Sequence, residues 1–238
     1  MSIVPTNLDS LHQQEETFRT KALELLEADK KLRLHLQVVE SAMNLADLHR
    51  QFETEDEDLK VTQILGMRIF NALGASLKLA LSGYSQNSAI IMRDILETVF
   101  LLDLFRGDRA QIETWRFADR ITRMKEFSPA KIRKKLDKRD GFTTKKRGEV
   151  YDLFSELAAH PNMKSSWMMR PQKNGDAVIG PFIEKEILTA VLSEMGKLAV
   201  QVGEMIDSFL PISWEGAKYA RVEFHRVKTE WLQTFYTD

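Results

Sequence analysis

Apolar residues recur every seven positions along the first fifty residues, at Leu11, Phe18, Leu25, Leu32, Val39 and Ala46. Ala22, Leu36 and Met43 follow three of these by four residues, which is the spacing of a coiled-coil seam. The pattern predicts one long helix that begins between Asn7 and Ser10 and runs to about Arg50. Glu15 and Asp29 fall on the same seam and weaken its first half as a zipper. A helix of this length either wraps the rest of the protein or projects as a dimerisation arm. We therefore divide the chain into residues 1–52, the long N-terminal helix, and residues 53–238, a helical core.

Beyond the acidic stretch Glu53 to Asp58, helical periodicity predominates. A helix is expected from about Leu59 to Ser82, with Gly66, Ala72, Gly74, Ala75 and Ala80 allowing a neighbour to approach closely. After the short turn Ser82-Gly83-Tyr84-Ser85, the next helix runs to Phe105. It is apolar around most of its circumference, which marks it as the most buried. Gly107-Asp108 opens a helix from Arg109 to Phe127. Ser128-Pro129 starts another by pairing a capping residue with proline at the first helical position. A further helix spans about Lys145 to Ala159. Trp167-Met168-Met169 and Ala177-Val178-Ile179 flank Asn174-Gly175, which predicts a small β-hairpin near 166–182. Helices from Glu184 to Phe209 and from Trp214 to Tyr236 complete the chain. The expected class is all-α: an antiparallel helical bundle with one hairpin.

Composition narrows the chemistry. Hydrophobic residues make up 43% of the chain and charged residues 29%, enough for a real core. Eleven glycines and six prolines are few for 238 residues, which favours long helices. There is no cysteine, so disulfides and thiolate chemistry are excluded. The N-terminus lacks the pattern of a signal peptide, and Ile90 to Phe105 is too short and too charged to span a bilayer. The expectation is a cytoplasmic protein with no membrane partner. No nucleotide-binding glycine loop, nucleophile elbow or H-E-x-x-H occurs, and no Glu stands three residues before a His. No metal site or cofactor is expected.

Two polar groups interrupt this pattern. Arg93 and Glu97 are four residues apart on the central helix, so they share a face and can pair. They form either a structural ion pair or an arginine placed for a phosphate or carboxylate. The second group is Tyr151-x-x-x-Ser155 followed by His160-Pro161-Asn162. It is either a helix stop with a hydrogen-bonded histidine or part of an inter-helix site. In such a site His160 would move protons, Arg93 would hold an anion, and Tyr151 and Ser155 would orient it.

Arg93-x-x-x-Glu97, then Tyr151-x-x-x-Ser155-x-x-x-x-His160-Pro161, then Gly180-Pro181 resembles uncharacterised bacterial helical proteins. Those are similar to the HEPN (higher eukaryote and prokaryote nucleotide-binding) superfamily. The resemblance spans roughly Leu59 to Phe209. It implies a helical bundle, frequent dimerisation, and RNA binding or cleavage. The superfamily's nuclease signature, an Arg separated from a His by four to six residues, is missing at His12, His35, His49, His160 and His225.

Net charge is only −1, but residues 120–147 carry twelve basic side chains against Glu126, Asp137 and Asp140. Arg133, Lys134, Lys135, Lys138, Arg139, Lys145, Lys146 and Arg147 are the candidate nucleic-acid or anion-binding residues. Phe127 and Phe142 stand nearby without an interleaved aromatic pattern. The acidic stretch 53–58 could neutralise the segment within the molecule or across a dimer. The leading expectation is a HEPN-like protein that binds RNA or another phosphate-bearing partner. The alternatives are a dimeric interaction module, an acidic protein partner for the basic segment, and an enzyme built on Arg93, Glu97, Tyr151, Ser155 and His160.

Overall fold

A computed structural model describes residues 3–156, 163–171 and 175–237, and they form an all-helical bundle. In chain order the helices are α1 (Thr6–Ala28), α2 (Lys30–Gln51), α3 (Glu57–Leu81), α4 (Ser85–Gly107), α5 (Ala110–Phe117) and α6 (Arg120–Phe127). They continue with α7 (Pro129–Arg139), α8 (Lys146–Phe154), α9 (Lys185–Phe209) and α10 (Lys218–Tyr236).

The predicted N-terminal helix is two helices. Asp29 leaves the helical region, with φ −123° and ψ 106°. Its carboxylate accepts bonds from the backbone N–H groups of Lys31 (3.0 Å) and Leu32 (3.4 Å), so it caps α2. Arg33 reaches back to the carbonyl oxygens of Leu26 and Glu27, satisfying the end of α1. The acidic residue that interrupts the seam is thus the residue that divides the helix. Glu15, the other interruption, accepts a hydrogen bond of 2.8 Å from the Tyr84 hydroxyl and ties α1 to the α3–α4 turn.

Helices α2, α3, α4, α9 and α10 build the main core. Helix α9 has an apolar side buried at Ile187, Val191, Met195, Leu198, Val202 and Met205. It packs on α2 and α4, while α10 closes over α2. From Ile95 to Phe105, α4 is buried on nearly every side, as its composition predicts. An 18-residue window of α3 reaches a mean hydropathy of 1.4, long and apolar enough to cross a membrane by composition. In the bundle, α3 packs against α4 and α2, and the buried hydroxyls of Ser76 and Ser88 join α3 to α4 at 2.9 Å. A second, smaller cluster seats α1: Ala22 and Leu26 pack with Leu32, Ile183, Leu188 and Leu192.

Two glycines permit close approaches. Gly83 has φ +90°, and a Cβ there would lie 2.7 Å from the backbone nitrogen of Phe182. That nitrogen donates to the Gly83 carbonyl at 3.2 Å, fastening the α3–α4 turn to the chain entering α9. At Gly203 a Cβ would lie 2.1 Å from the ring of the fully buried Phe224, so glycine lets α10 close on α9.

Two expectations are corrected. The region from Arg109 to Phe127 is two short helices, because Ala118 turns extended and Asp119 caps α6 through the backbone N–H of Thr122 (2.7 Å). The predicted hairpin does not form, and no strand occurs among the described residues. Trp167, Met168 and Met169 lie in a 3-10 helix, Lys164–Met169. A single backbone bond, from Val178 N–H to the Met169 carbonyl (3.0 Å), links this helix to the later segment. The helical turn sends Met168 into the core, whereas Ile179 is wholly exposed. The second arm buries little, with Ala177 and Ile179 exposed and Val178 half-buried, and an isolated two-stranded ribbon is marginal in water. Asn174 of the expected turn lies outside the described residues.

Two histidines are core residues. His35 accepts from the Trp231 indole N–H at 2.8 Å and stacks on Phe235 at 4.4 Å between centroids. The Thr62 hydroxyl donates to the Leu59 carbonyl (2.8 Å), so it accepts from His49 Nε2 (3.0 Å). His49 Nδ1 is then unprotonated, buried and without a partner. Burial lowers both histidines to about 4.

Two outcomes are expected. Gly203→Ala should lower stability in urea denaturation by about 1–3 kcal/mol, the usual cost of overpacking a core. Stability should also fall as pH drops from 6.5 toward 4. In that window the unfolded chain protonates both histidines and the folded chain does not, giving at most about 1.4 kcal/mol per pH unit for each. A urea midpoint unchanged between neutral pH and the upper part of that window would contradict this assignment.

Candidate anion-binding site

The site is organised by a carboxylate. Asp103 lies near the C-terminal end of α4 with its side chain 11% exposed. A buried carboxylate requires compensation, because an unpaired charge in the interior is costly. Arg139, at the end of α7, donates to the Asp103 side chain and to its backbone carbonyl, each at 2.9 Å. Arg106 adds a contact of 2.8 Å from the same helix, and Arg147 stands 3.7 Å away at the start of α8. Arg147 also bonds Asp137 (2.9 Å) and Asp140, and Arg139 bonds Asp140 at 2.7 Å. These guanidinium groups, Arg139 first, hold the Asp140 carboxyl down at about 2. The network fixes α7 and the start of α8 against α4.

It also sorts the basic segment. Helix α7 turns Ile132 and Leu136 into the core and leaves Lys131, Lys134 and Lys138 outward. The three acids of the segment are all engaged: Glu126 by Lys135 (3.3 Å), Asp137 by Arg147, and Asp140 by Arg139 and Arg147. The acidic stretch does not reach the segment's remaining cations. Asp56 and Asp58 pair with Arg109 and Glu57 pairs with Arg116, all upstream of residue 120. Arg133, Lys134, Lys138, Lys145 and Lys146 have no carboxylate within ion-pair distance among the described residues.

Four of these, Arg133, Lys134, Lys138 and Lys145, line one cleft of about 650 Å³ between α7, α8 and the loop that joins them. Phe142 shares that lining, with the hydroxyl-bearing Thr143 and Thr144 beside it. The two phenylalanines of the segment have separate roles. Phe127 is buried under α7, whereas Phe142 is 45% exposed. Lys146 sits 5.9 Å from the Phe142 ring centroid and Arg147 5.0 Å from it.

The other predicted group meets this cleft from behind. Arg93 Nε stands 3.3 Å from Glu97 Oε1, an ion contact whose angle makes no hydrogen bond and leaves Nε buried without one. The Arg93 guanidinium also donates to the Tyr151 hydroxyl, with its Cζ 4.7 Å from the ring centroid. Arg133 lies on the same tyrosine, its Cζ 3.8 Å from the centroid. Its Nη1 is buried with no hydrogen-bond partner among the described residues. Arg93, Glu97 and Tyr151 thus converge across α4 and α8. Ser155 does not join them, since its hydroxyl bonds the Tyr151 carbonyl at 2.9 Å within its own turn. His160 and Pro161 lie outside the described residues. The sequence marked Arg133 only as a positive charge. Its stacking on Tyr151 depends on how α7 docks beside α8, and no local spacing signals that.

Compared with known proteins, the chain matches no family model, no curated protein and no solved structure.

Asp103→Asn should lower stability by about 2 kcal/mol and loosen α7, because it removes the charge that gathers three arginines. Urea denaturation with hydrogen exchange of α7 amides reads both effects. Unchanged exchange in α7 would show that the network does not hold that helix.

Proposed function

We propose that the protein binds RNA through the basic cleft between α7 and α8, as a HEPN-like helical protein without the superfamily's nuclease motif. One observation carries this reading: Arg133, Lys134, Lys138 and Lys145 gather around one cleft with no carboxylate within ion-pair distance among the described residues, outnumbering the Asp137 and Asp152 that share its lining. Cations that are already neutralised add little to phosphate affinity, while unpaired ones release the counterions of a polyanion when it binds. The internal pairing of Arg139 and Arg147 supports the same view, because it engages those two arginines in architecture and leaves the charge of the lysines available to a ligand. An acidic protein partner would need the same charges but not the cleft.

Binding to fluorescein-labelled RNA, followed by anisotropy across a salt series, tests the proposal. Four phosphate contacts on a single strand correspond to a slope of log K on log salt of about −3. Changing Lys134, Lys138, Lys145 and Lys146 to Glu should abolish binding while the far-ultraviolet circular dichroism stays helical. Absence of binding by the wild-type chain at low salt would refute the RNA reading. The basic surface would then be assigned to an acidic protein.

A further inference from the structure

Resting on that reading of the cleft, we infer that it accepts one nucleotide unit of a single strand, with Phe142 stacking the base and Arg133 anchoring the phosphate, and that it therefore prefers single-stranded over duplex RNA, which meets only the cations. The cleft volume of about 650 Å³ suits a ligand of that size. Its lining holds cations and an aromatic ring that match the two halves of a nucleotide, beside the carboxylates of Asp137, which Arg147 pairs, and Asp152.

The phosphate half rests on Arg133. Its guanidinium carbon lies over the Tyr151 ring, 3.8 Å from the centroid, a contact that restrains the side chain before any ligand arrives. It carries a full charge with no carboxylate partner among the described residues, and one of its nitrogens is buried without an acceptor. A planar fork fixed by stacking suits the oxygens of a phosphate, a geometry that the point charge of a lysine does not reproduce. Tyr151 Oη takes the bond from Arg93, so the tyrosine is fixed from its other end as well. Arg93 thus acts as a positioning residue. Lys134, Lys138 and Lys145 surround this anchor and supply long-range attraction.

The base half rests on Phe142. It sits in the loop between α7 and α8, lines the cleft and leaves nearly half of its surface to solvent. A large apolar ring exposed beside unpaired cations is a stacking face, and stacking on an aromatic ring tolerates any base. A base can reach such a ring only when it is unstacked from its neighbours. A paired duplex keeps its bases inside and presents only phosphates and sugar edges. The hydroxyl groups of Thr143 and Thr144 line the same wall and can bond base edges or a ribose hydroxyl.

Anisotropy with a labelled oligouridylate, free and annealed to its oligoadenylate complement, tests this on the full chain. The wild type should prefer the single strand by about tenfold or more. Phe142→Leu, which leaves every charge in place, should weaken single-strand binding by about five- to a hundred-fold, leave duplex binding unchanged and keep the salt slope. Arg133→Lys should weaken the single strand while also preserving the salt slope, because charge is kept and the fixed fork is lost. Equal wild-type affinity for both forms, or single-strand binding by Phe142→Leu equal to wild type, overturns the inference. Salt-dependent RNA binding in those cases leaves the proposed function standing. Failure of the wild type to bind either form at low salt overturns both.

Discussion

The buried carboxylate of Asp103 is the constraint on which the site depends. It sits at the end of the most enclosed helix, where an ion cannot remain without partners. Arg106 of its own helix is not enough to surround it. Arg139 and Arg147 come from chain that would otherwise have little reason to lie there, and they draw Asp137 and Asp140 with them. Once those pairs have formed, the orientation of α7 follows. Ile132 and Leu136 face the core, and every lysine with no acid to meet is left on the outer side. A concentration of positive charge on one wall is thus a consequence of satisfying one negative charge inside.

The remaining core is held by shape more than by polar bonding. Helix α9 lies between α2 and α4 with a continuous apolar side, and Gly203 brings Phe224 within reach of its backbone. Several buried polar groups are satisfied locally, as with Ser76 on Ser88 and His35 on Trp231. Among the described residues His49 Nδ1 has no partner and stays a neutral acceptor, and Arg93 Nε and Arg133 Nη1 are likewise buried without one.

How much of this was legible in the sequence depended on the range of the interaction. Helical class, the enclosure of α4 and the start of α7 at Ser128-Pro129 follow from local periodicity and from proline at the first helical position, and are found, although the Ser128 side chain makes no capping bond. The Arg93–Glu97 contact was legible for the same reason, since a spacing of four fixes it. Asp29 was read as a flaw in a seam because a heptad pattern continues through it; only its backbone angles distinguish a flaw from a cap. The hairpin does not form because Asn-Gly turn chemistry is local and gives the arms nothing to bury, and Ile179 is wholly exposed. The pairing of basic residues was not legible at all. Twelve cations in a row look alike until the fold decides which of them meet Asp103, and the placement of Arg133 on Tyr151 belongs to that same tertiary choice.

The break at Asp29 has a consequence for cooperativity. Helix α1 does not contribute to the main core; it rests on a separate cluster shared with the first turns of α9. A helix anchored in this way can open as its own unit, at a free energy below that of global unfolding, while α2 stays in the bundle behind its Asp29 cap. Helix α1 is therefore expected to behave as a foldon of its own, held to the rest of the molecule by that cluster, by the capped junction at Asp29 and by the bond from Tyr84 to Glu15.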